Sequence, residues 1–279
     1  MSQKGATGSY TLQSVDGAPD EVSRLDELHV GIAQFLGGRL SFADLSSPSA
    51  PGAILELGCG SGAWAIQAAQ TFPEADVVAV DINRLPERPL PPNVRFHQGD
   101  ITHGLPFSPA SFDVVHARLV MMHIPDGEAV LRRMISLVKP GGWLLVEDPD
   151  DDHMLDDGGP LSPALAEFEQ AWIGIMRARG ANPCIGRDLE GIVRSSGAFR
   201  AVNVKRVVVP ISGHSSDPAL RQLGISWKET GSRLMQYLPT RYYADGITEQ
   251  LTSRCHDELM DTSRNITTDM YFVWAQKEL

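Results

Sequence analysis

Short apolar runs alternate, along the first half of the chain, with segments whose apolar residues recur every three or four positions. The runs predict strands at 53–57, 77–80, 94–97, 112–116 and 143–147. The recurring pattern predicts helices at 20–36, 63–71 and 126–138. Because strands and helices alternate, we expect an α/β fold in which helices cover both faces of a mostly parallel sheet.

The pattern loosens after residue 148. The acidic segment from Glu147 to Asp157 has no clear period and predicts a solvated, mobile loop. Further along, we expect helices at 162–179 and 187–196 and strands at 201–209 and 267–275. A long helical segment, 213–264, separates these last two strands, so the chain is expected to contain seven strands.

Three acidic residues and a glycine-rich turn stand at the ends of the first three strands. Glu56 ends the first strand, and the turn after it carries Gly58, Gly60 and Gly62. Asp81 ends the second strand about twenty residues later, the spacing at which an acid reaches ribose hydroxyls in nucleotide-binding units. Asp100 follows the third strand. Because the carboxyl ends of parallel strands meet at one edge, these residues predict a ligand site there.

This series of motifs resembles the class I S-adenosylmethionine-dependent methyltransferases. The matching segments are 55–62, Asp81, 99–100, 112–115 and 137–143. A closer resemblance is to fungal small-molecule methyltransferases related to the velvet-complex regulators of secondary metabolism, whose upstream segment matches residues 21–29. The resemblance implies a Rossmann-like sheet of seven strands, the seventh antiparallel, and S-adenosylmethionine as the cofactor.

The resemblance also implies roles for individual residues. Glu56 and the glycine turn hold the methionine part of the cofactor, and Asp81 accepts hydrogen bonds from its ribose. The adenine is packed by Ile82 and Ile101, and its amine donates to Asp100. A third group lies at the sulfonium or the carboxylate of the cofactor: Ala117, Arg118, Arg24 and Tyr10. An ordinary surface arginine is an equally good interpretation of Arg24.

Three units are expected along the chain. Residues 1–45 form a helical segment over the cofactor site, 46–210 and 265–279 form the core, and 211–264 form a helical cap over the substrate. A long insertion in a compact domain is usually functional, and large aromatic residues suit a substrate pocket. The predicted substrate residues are Trp172, Met176, Trp227, Tyr237, Tyr242 and His153. The alternative is that the aromatic residues form a small core of the insertion itself.

Methyl transfer needs a base only when the acceptor must lose a proton. His123 and His116 flank the segment after the fourth strand, where an acceptor would lie, so both are candidates. Packing is the favoured role for each of them, and no acid–base pair is evident. Metal-dependent members of the wider family use carboxylates after the fourth and fifth strands. The fourth strand here offers none, so we expect no metal.

Composition narrows the possible partners. The 279 residues carry a net charge of −11, which argues against a nucleic-acid substrate. No apolar run is long enough to span a membrane, and three scattered cysteines indicate neither disulfides nor a metal site. The chain is therefore expected to be a soluble cytoplasmic protein, a monomer or homodimer, whose substrate is a small molecule.

The hypothesis that best unites these features is a methyltransferase that modifies O or N of a small molecule, in particular a secondary metabolite. Two alternatives remain open: a regulatory or scaffold protein that binds the cofactor without efficient turnover, and an enzyme that uses the cofactor without methylating. An NAD-dependent dehydrogenase is disfavoured, because the glycines have a different spacing and Asp100 would have no role.

Overall fold

A single seven-stranded sheet forms the centre of the computed structural model, which describes residues 20–46 and 49–279. Its strands are β1 (Ala53–Leu57), β2 (Asp76–Asp81), β3 (Val94–Gln98), β4 (Phe112–Arg118), β5 (Val138–Asp156), β6 (Phe199–Pro210) and β7 (Ile266–Lys277). They lie in the order β3-β2-β1-β4-β5-β7-β6. Strands β1 to β5 pair in parallel, whereas β7 runs antiparallel to both β5 and β6. The predicted fold class is confirmed.

Seven α-helices accompany the sheet in the described residues. They are α1 (Glu21–Phe35), α2 (Ala63–Thr71), α3 (Gly127–Leu137), α4 (Pro163–Ala178), α5 (Ile185–Ser195), α6 (Pro218–Tyr242) and α7 (Glu249–Met260). Short 3₁₀ turns occur at Met121–His123 and Tyr243–Asp245. None of these helices is both long and apolar enough to cross a membrane.

Alternating side chains of the sheet divide the core into two layers. On β1, Ile54 packs with α2 on one face, whereas Leu55 and Leu57 pack with α3, α4 and α5 on the other. All three are almost completely buried. Near β7, α1 and α6 cover the same face as α2. This explains why the strands read as continuous apolar runs, since a parallel sheet covered on both faces has no solvent-facing side.

The acidic segment after β5 differs from its prediction. Instead of forming a solvated loop, the chain continues as β5 to Asp156, because β7 is long enough to pair with it beyond residue 147. Asp148 and Asp150 are 0% and 2% exposed. The prediction of a loop was wrong because a run of acids gives no strand pattern in the sequence. The partners that allow these acids to be buried come together only in the folded chain.

The segment predicted as a cap consists of α6, the second 3₁₀ turn and α7. Helix α6 packs on α1, while α7 packs on α4. Gly31 of α1 lies so close to Ser226 of α6 that an added Cβ would be 2.5 Å from its Oγ. A salt bridge of 2.7 Å between Glu27 and Arg233 also joins these two helices. Helix α6 is therefore in direct contact with the N-terminal helix. The division into three units remains a prediction.

Candidate active site

A cavity of about 370 Å³ opens at the carboxyl ends of β1, β2, β3 and β4. The strand order reverses between β1 and β4, which lie side by side although they are not consecutive in the chain. Open α/β sheets bind their ligands at such a reversal, because the loops that follow the two strands diverge and leave a crevice. Helix α1 forms the outer wall, with Leu25, Leu28 and Ile32 facing the cavity.

The turn after β1 requires glycine for two separate reasons. Gly58, Gly60 and Gly62 all have positive φ, at 70°, 53° and 79°, a conformation that is costly for other residues. Space is also lacking, since a Cβ on Gly58 would be 2.3 Å from Cγ2 of Val120. The turn is held to β2 by two hydrogen bonds from the amides of Gly58 and Cys59 to the carbonyl of Val80.

Asp81 and Asp100 face the cavity from neighbouring strand ends. Asp81 accepts hydrogen bonds from the amides of Gly60, at 2.8 Å, and Asn83, at 3.0 Å. Burial raises its pKa, although these hydrogen bonds oppose the rise. Burial also acts to raise the pKa of Asp100, but hydrogen bonds from Thr102 and His103 outweigh it, so that pKa is lowered. Asp81 thus ties the glycine turn to the end of β2, whereas the hydrogen bonds of Asp100 order the loop after β3.

Glu56 is a nearly buried carboxylate in the wall of the cavity. Its Oε2 atom accepts no hydrogen bond from any described residue, and its Oε1 lies 3.8 Å from Nδ1 of His116. Burial raises the pKa of Glu56 to about 8, despite the nearby positive charge of Arg118. A buried acceptor without a donor is costly in a folded protein, so this atom fits a cationic or hydrogen-bond-donating group of a ligand.

Arg118 carries the positive charge beside Glu56. Its guanidinium forms a short ion pair with the buried Glu147 of β5, and its Nη1 lies 3.4 Å from Nδ1 of His29 on α1. Burial and the charge of Arg118 lower the pKa of His29 to about 4. His29 is therefore neutral at pH 7, and Arg118 is the positively charged neighbour of two buried carboxyl groups, Glu56 and Glu147.

A family description of methyltransferase domains matches residues 34–198. Methyltransferase str3 of Strobilurus tenacellus is 45% identical over 232 residues, which cover 83% of this chain and 81% of that protein. The chain belongs to the methyltransferase family. The predicted membership of the class I S-adenosylmethionine-dependent methyltransferases is confirmed. The secondary metabolism regulator laeA of Coprinopsis cinerea is 32% identical over 136 residues, covering 47% of this chain and 34% of that protein.

Solved structures of methyltransferases share the fold. Phosphoethanolamine N-methyltransferase 2 of Haemonchus contortus, solved in complex with S-adenosyl-L-methionine, has a TM-score of 0.51 and 20% identity to this chain. The matched region covers 91% of the present chain and 53% of the Haemonchus contortus chain, so the present chain spans about half the length of that enzyme.

Most of the cofactor residues predicted for this methyltransferase converge on the cavity. Those that line it are Glu56, Gly58, Gly60, Asp81, Ile82, Asp100, Ile101 and Arg118. Gly62 and Ala117 lie just outside the lining, and Tyr10 lies outside the described residues. Arg24 is 6% exposed and pairs with Glu21, whose side chain does face the cavity. The roles of all these residues remain predictions.

The predicted substrate residues lie elsewhere in this methyltransferase. Trp172 and Tyr242 pack edge to face in the main core, with ring centroids 6.0 Å apart, and Met176 is buried in the same cluster. Tyr237 packs against that core as well, whereas Trp227 lies between two smaller clusters. None of the five lines the cavity. Helix packing accounts for these positions, because Trp172 and Met176 of α4 and Tyr242 of α6 face the main core.

The three candidate histidines are held in place by the fold. His116 is completely buried and stacks on Trp64 at 3.8 Å between ring centroids. Burial, with the charge of Arg24, lowers the pKa of His123 to about 3, a value poorly matched to a base at neutral pH. His153 was predicted in a mobile loop, which was wrong: it lies in β5, and its Nδ1 is 2.8 Å from Oδ2 of Asp269.

Several residues that line the cavity were not among the predicted site residues. Arg84 and Pro86 come from the loop between β2 and β3, and Leu119 and Val120 follow Arg118. Leu119 has φ of 57°, and its amide donates to the carbonyl of Glu147 at 2.7 Å. Nothing in the local pattern marks these positions, because loop residues follow no helical or strand period. His29 had a usable signal, since it belongs to the upstream motif.

Activity of this methyltransferase is expected to persist in EDTA and to be unaffected by added magnesium. The acidic residues of β5 are already engaged: Asp148 accepts from the amides of Met121 and Met122, both at 3.3 Å, and Asp150 pairs with Arg187. No group of three or more His, Cys, Asp or Glu side chains suited to a metal occurs in residues 20–46 and 49–279. Methyl transfer measured before and after chelation checks this. Loss in EDTA with recovery in magnesium would contradict it.

Proposed function

We propose that this methyltransferase transfers a methyl group from S-adenosylmethionine to an oxygen or nitrogen atom of a small molecule of secondary metabolism. The observation that carries the proposal is the cavity at the strand reversal, which Glu56, Asp81 and Asp100 line together with the glycine turn. Their chemistry matches the polar groups of the cofactor: an ammonium, a ribose diol and an adenine amine. The similarity to methyltransferase str3 supports the transfer activity.

Each wall of the cavity has a role in this proposal. The cofactor supplies a methyl group on a positively charged sulfonium. Glu56 accepts from the ammonium, which gives its unpartnered Oε2 a donor. Asp81 and Asp100 accept from the ribose and the adenine amine. The apolar face of α1, with Leu25, Leu28 and Ile32, excludes water from the site. Alignment and removal of water are the main requirements for an in-line transfer.

The protein needs no base if the acceptor is already a nucleophile at neutral pH. The pKa of His123 is lowered to about 3 and that of His29 to about 4, so both histidines are weak bases. A carboxylate or an unprotonated amine can attack the methyl group without losing a proton. A phenol would require one to be removed. These acceptors are therefore favoured over phenols within the proposed class.

Replacement of Asp81 by alanine is expected to weaken binding of S-adenosylhomocysteine by about 1–3 kcal/mol, the cost of leaving polar groups without partners. Asp81 also accepts from Gly60, so part of the loss comes from a less ordered turn. Calorimetry measures the affinity, and Asp76→Ala is the control because Asp76 is an exposed residue at the opposite end of β2. Unchanged affinity in Asp81→Ala would show that Asp81 does not bind the cofactor.

A regulatory protein without efficient turnover is the second candidate, and the similarity to laeA of Coprinopsis cinerea favours it. The two candidates separate in one assay. Labelled S-adenosylmethionine is incubated with the protein and panels of small carboxylic acids, amines and phenols. Transfer to a small molecule supports the enzyme, whereas tight binding without transfer to any panel supports the regulator.

A further inference from the structure

Arg88 lies where three walls of the cavity meet. It belongs to the loop between β2 and β3, whose residues Arg84 and Pro86 line the cavity. Its Nη1 donates to Oδ1 of Asp26 on α1 and to the carbonyl oxygen of Ser61 in the glycine turn, both at 2.9 Å. One guanidinium thus joins the loop, the outer helix and the turn.

The ion pair between Arg88 and Asp26 lies at the edge of the cofactor cavity. Asp26 and Arg88 line a separate groove of about 410 Å³ between α1 and α2. Their neighbours Leu25 and Ser61 line the cofactor cavity instead. Arg88 is 26% exposed and Asp26 33% exposed, so solvent only partly screens the pair. Charge-assisted hydrogen bonds of this kind are stronger than neutral ones.

We propose that Arg88 is a positioning residue that fixes α1 over the bound cofactor and thereby sets how long the cofactor stays bound. This inference rests on the proposed cofactor site. Leu25 already contacts the turn, since a Cβ on Gly60 would be 3.1 Å from its Cδ1. That apolar contact packs α1 against the turn. The hydrogen bonds of Arg88 are directional, so they resist displacement of the helix.

The other side of α1 has its own attachments, which remain when Arg88 is changed. Glu27 pairs with Arg233 of α6 at 2.7 Å, and Gly31 packs closely on Ser226. Loss of the Arg88 link therefore leaves α1 folded and docked on α6, while its contact with the turn loosens. The expected effect is on release of the cofactor, with little change in the stability of the unliganded protein.

The test measures release of S-adenosylhomocysteine by stopped-flow fluorescence, for which Trp64 in the cavity wall supplies a signal. Arg88→Met keeps an unbranched, though shorter, side chain and removes its donors. We expect a dissociation rate roughly tenfold above wild type. Asp26→Asn should raise the rate as well, and the double variant should exceed Arg88→Met only slightly, because the two residues act through one link. Arg88→Lys, which keeps a charge, should give an intermediate rate.

Hydrogen exchange provides a second readout that general destabilisation would not imitate. Bound S-adenosylhomocysteine should protect the amides of α1 in the wild type and protect them less in Arg88→Met. Arg95→Met is the matched control, because Arg95 pairs with Asp76 at 3.1 Å on β3 and β2, where both side chains are 66% exposed. Its dissociation rate should equal that of the wild type.

The outcomes distinguish this inference from the function on which it rests. If the wild type does not bind S-adenosylhomocysteine, the proposed cofactor site fails. If the wild type binds and both Arg88→Met and Asp26→Asn release the ligand at the wild-type rate, only the role of Arg88 is overturned. An equal rise in Arg95→Met would also overturn it. If Arg88→Met does not fold, the dissociation rate of Asp26→Asn alone tests the role of this ion pair.

Discussion

Replacement of Gly58 by alanine is expected to abolish measurable cofactor binding at micromolar concentrations and to destabilise the fold. The new Cβ would be 2.3 Å from Cγ2 of Val120, a buried side chain with little freedom to move. Overpacking of this kind costs about 1–3 kcal/mol, and the positive φ of 70° adds about 1–2 kcal/mol. Relief of the clash must displace the turn or the segment after β4, and both line the cavity.

Gly37→Ala separates the two contributions. Gly37 has a nearly equal φ of 68°, but nothing lies within 4 Å of its added Cβ. Gly37→Ala should lose only the stability that the positive φ costs a residue with a side chain, about 1–2 kcal/mol. This variant should keep its affinity for S-adenosylhomocysteine. Chemical denaturation and calorimetry on both variants give the comparison. If the two variants lose the same stability and Gly58→Ala still binds the ligand, the close approach of Val120 does not constrain the turn.

Cofactor binding is expected to release a proton near pH 7, and Glu56→Gln is expected to remove this release. In the free protein the pKa of Glu56 is raised to about 8, so the carboxyl is mostly protonated at pH 7. The cofactor's ammonium favours the ionised form, so binding should expel the proton and affinity should increase as pH approaches 8. Calorimetry in two buffers of different ionisation enthalpy counts the protons. The Gln variant should bind roughly 10- to 100-fold more weakly, as for a lost charged hydrogen bond.

The stability of the free protein should change with pH in the opposite sense. Glu56 has a folded pKa of about 8 and an ordinary value of 4.5. Between these values the unfolded chain has lost the proton that the folded chain keeps, so rising pH favours unfolding. Stability therefore falls from about pH 5 to pH 8, and Glu56→Gln should flatten part of this fall. Three charged side chains act on this pKa besides burial: Arg118 lowers it, whereas Asp81 and Glu147 raise it. His116 also faces Glu56, with its Nδ1 3.8 Å from Oε1.

Asp148→Asn is the matched control for both measurements. Burial raises the pKa of Asp148 to about 8 as well, but the residue accepts from backbone amides and does not line the cavity. Asp148→Asn should reduce the dependence of stability on pH and leave proton release on cofactor binding unchanged. If Glu56→Gln still releases a proton, another group in the cavity carries that change, and Glu56 does not accept from the ammonium.

The cofactor side of the site was more predictable than the substrate side. Glycines with positive φ and acids at strand ends have local signatures, because the turn and the strands that carry them are local structures. Trp172 and Tyr242 gave no comparable signal. An aromatic residue on an amphipathic helix looks the same whether its face meets a ligand or a neighbouring helix, and here it meets the core.

By itself, the sequence determined the strand order along the chain, the glycine turn, and the acids that converge on one edge of the sheet. These follow from short-range periodicity and from the geometry of parallel strands. Tertiary structure alone decided the rest. Asp148 and Asp150 became buried in an extended β5 because β7, more than a hundred residues later, pairs with it. The link from Arg88 to Asp26 and Ser61 joins positions 62 and 27 residues apart. Such contacts depend on how elements pack, which no local pattern encodes.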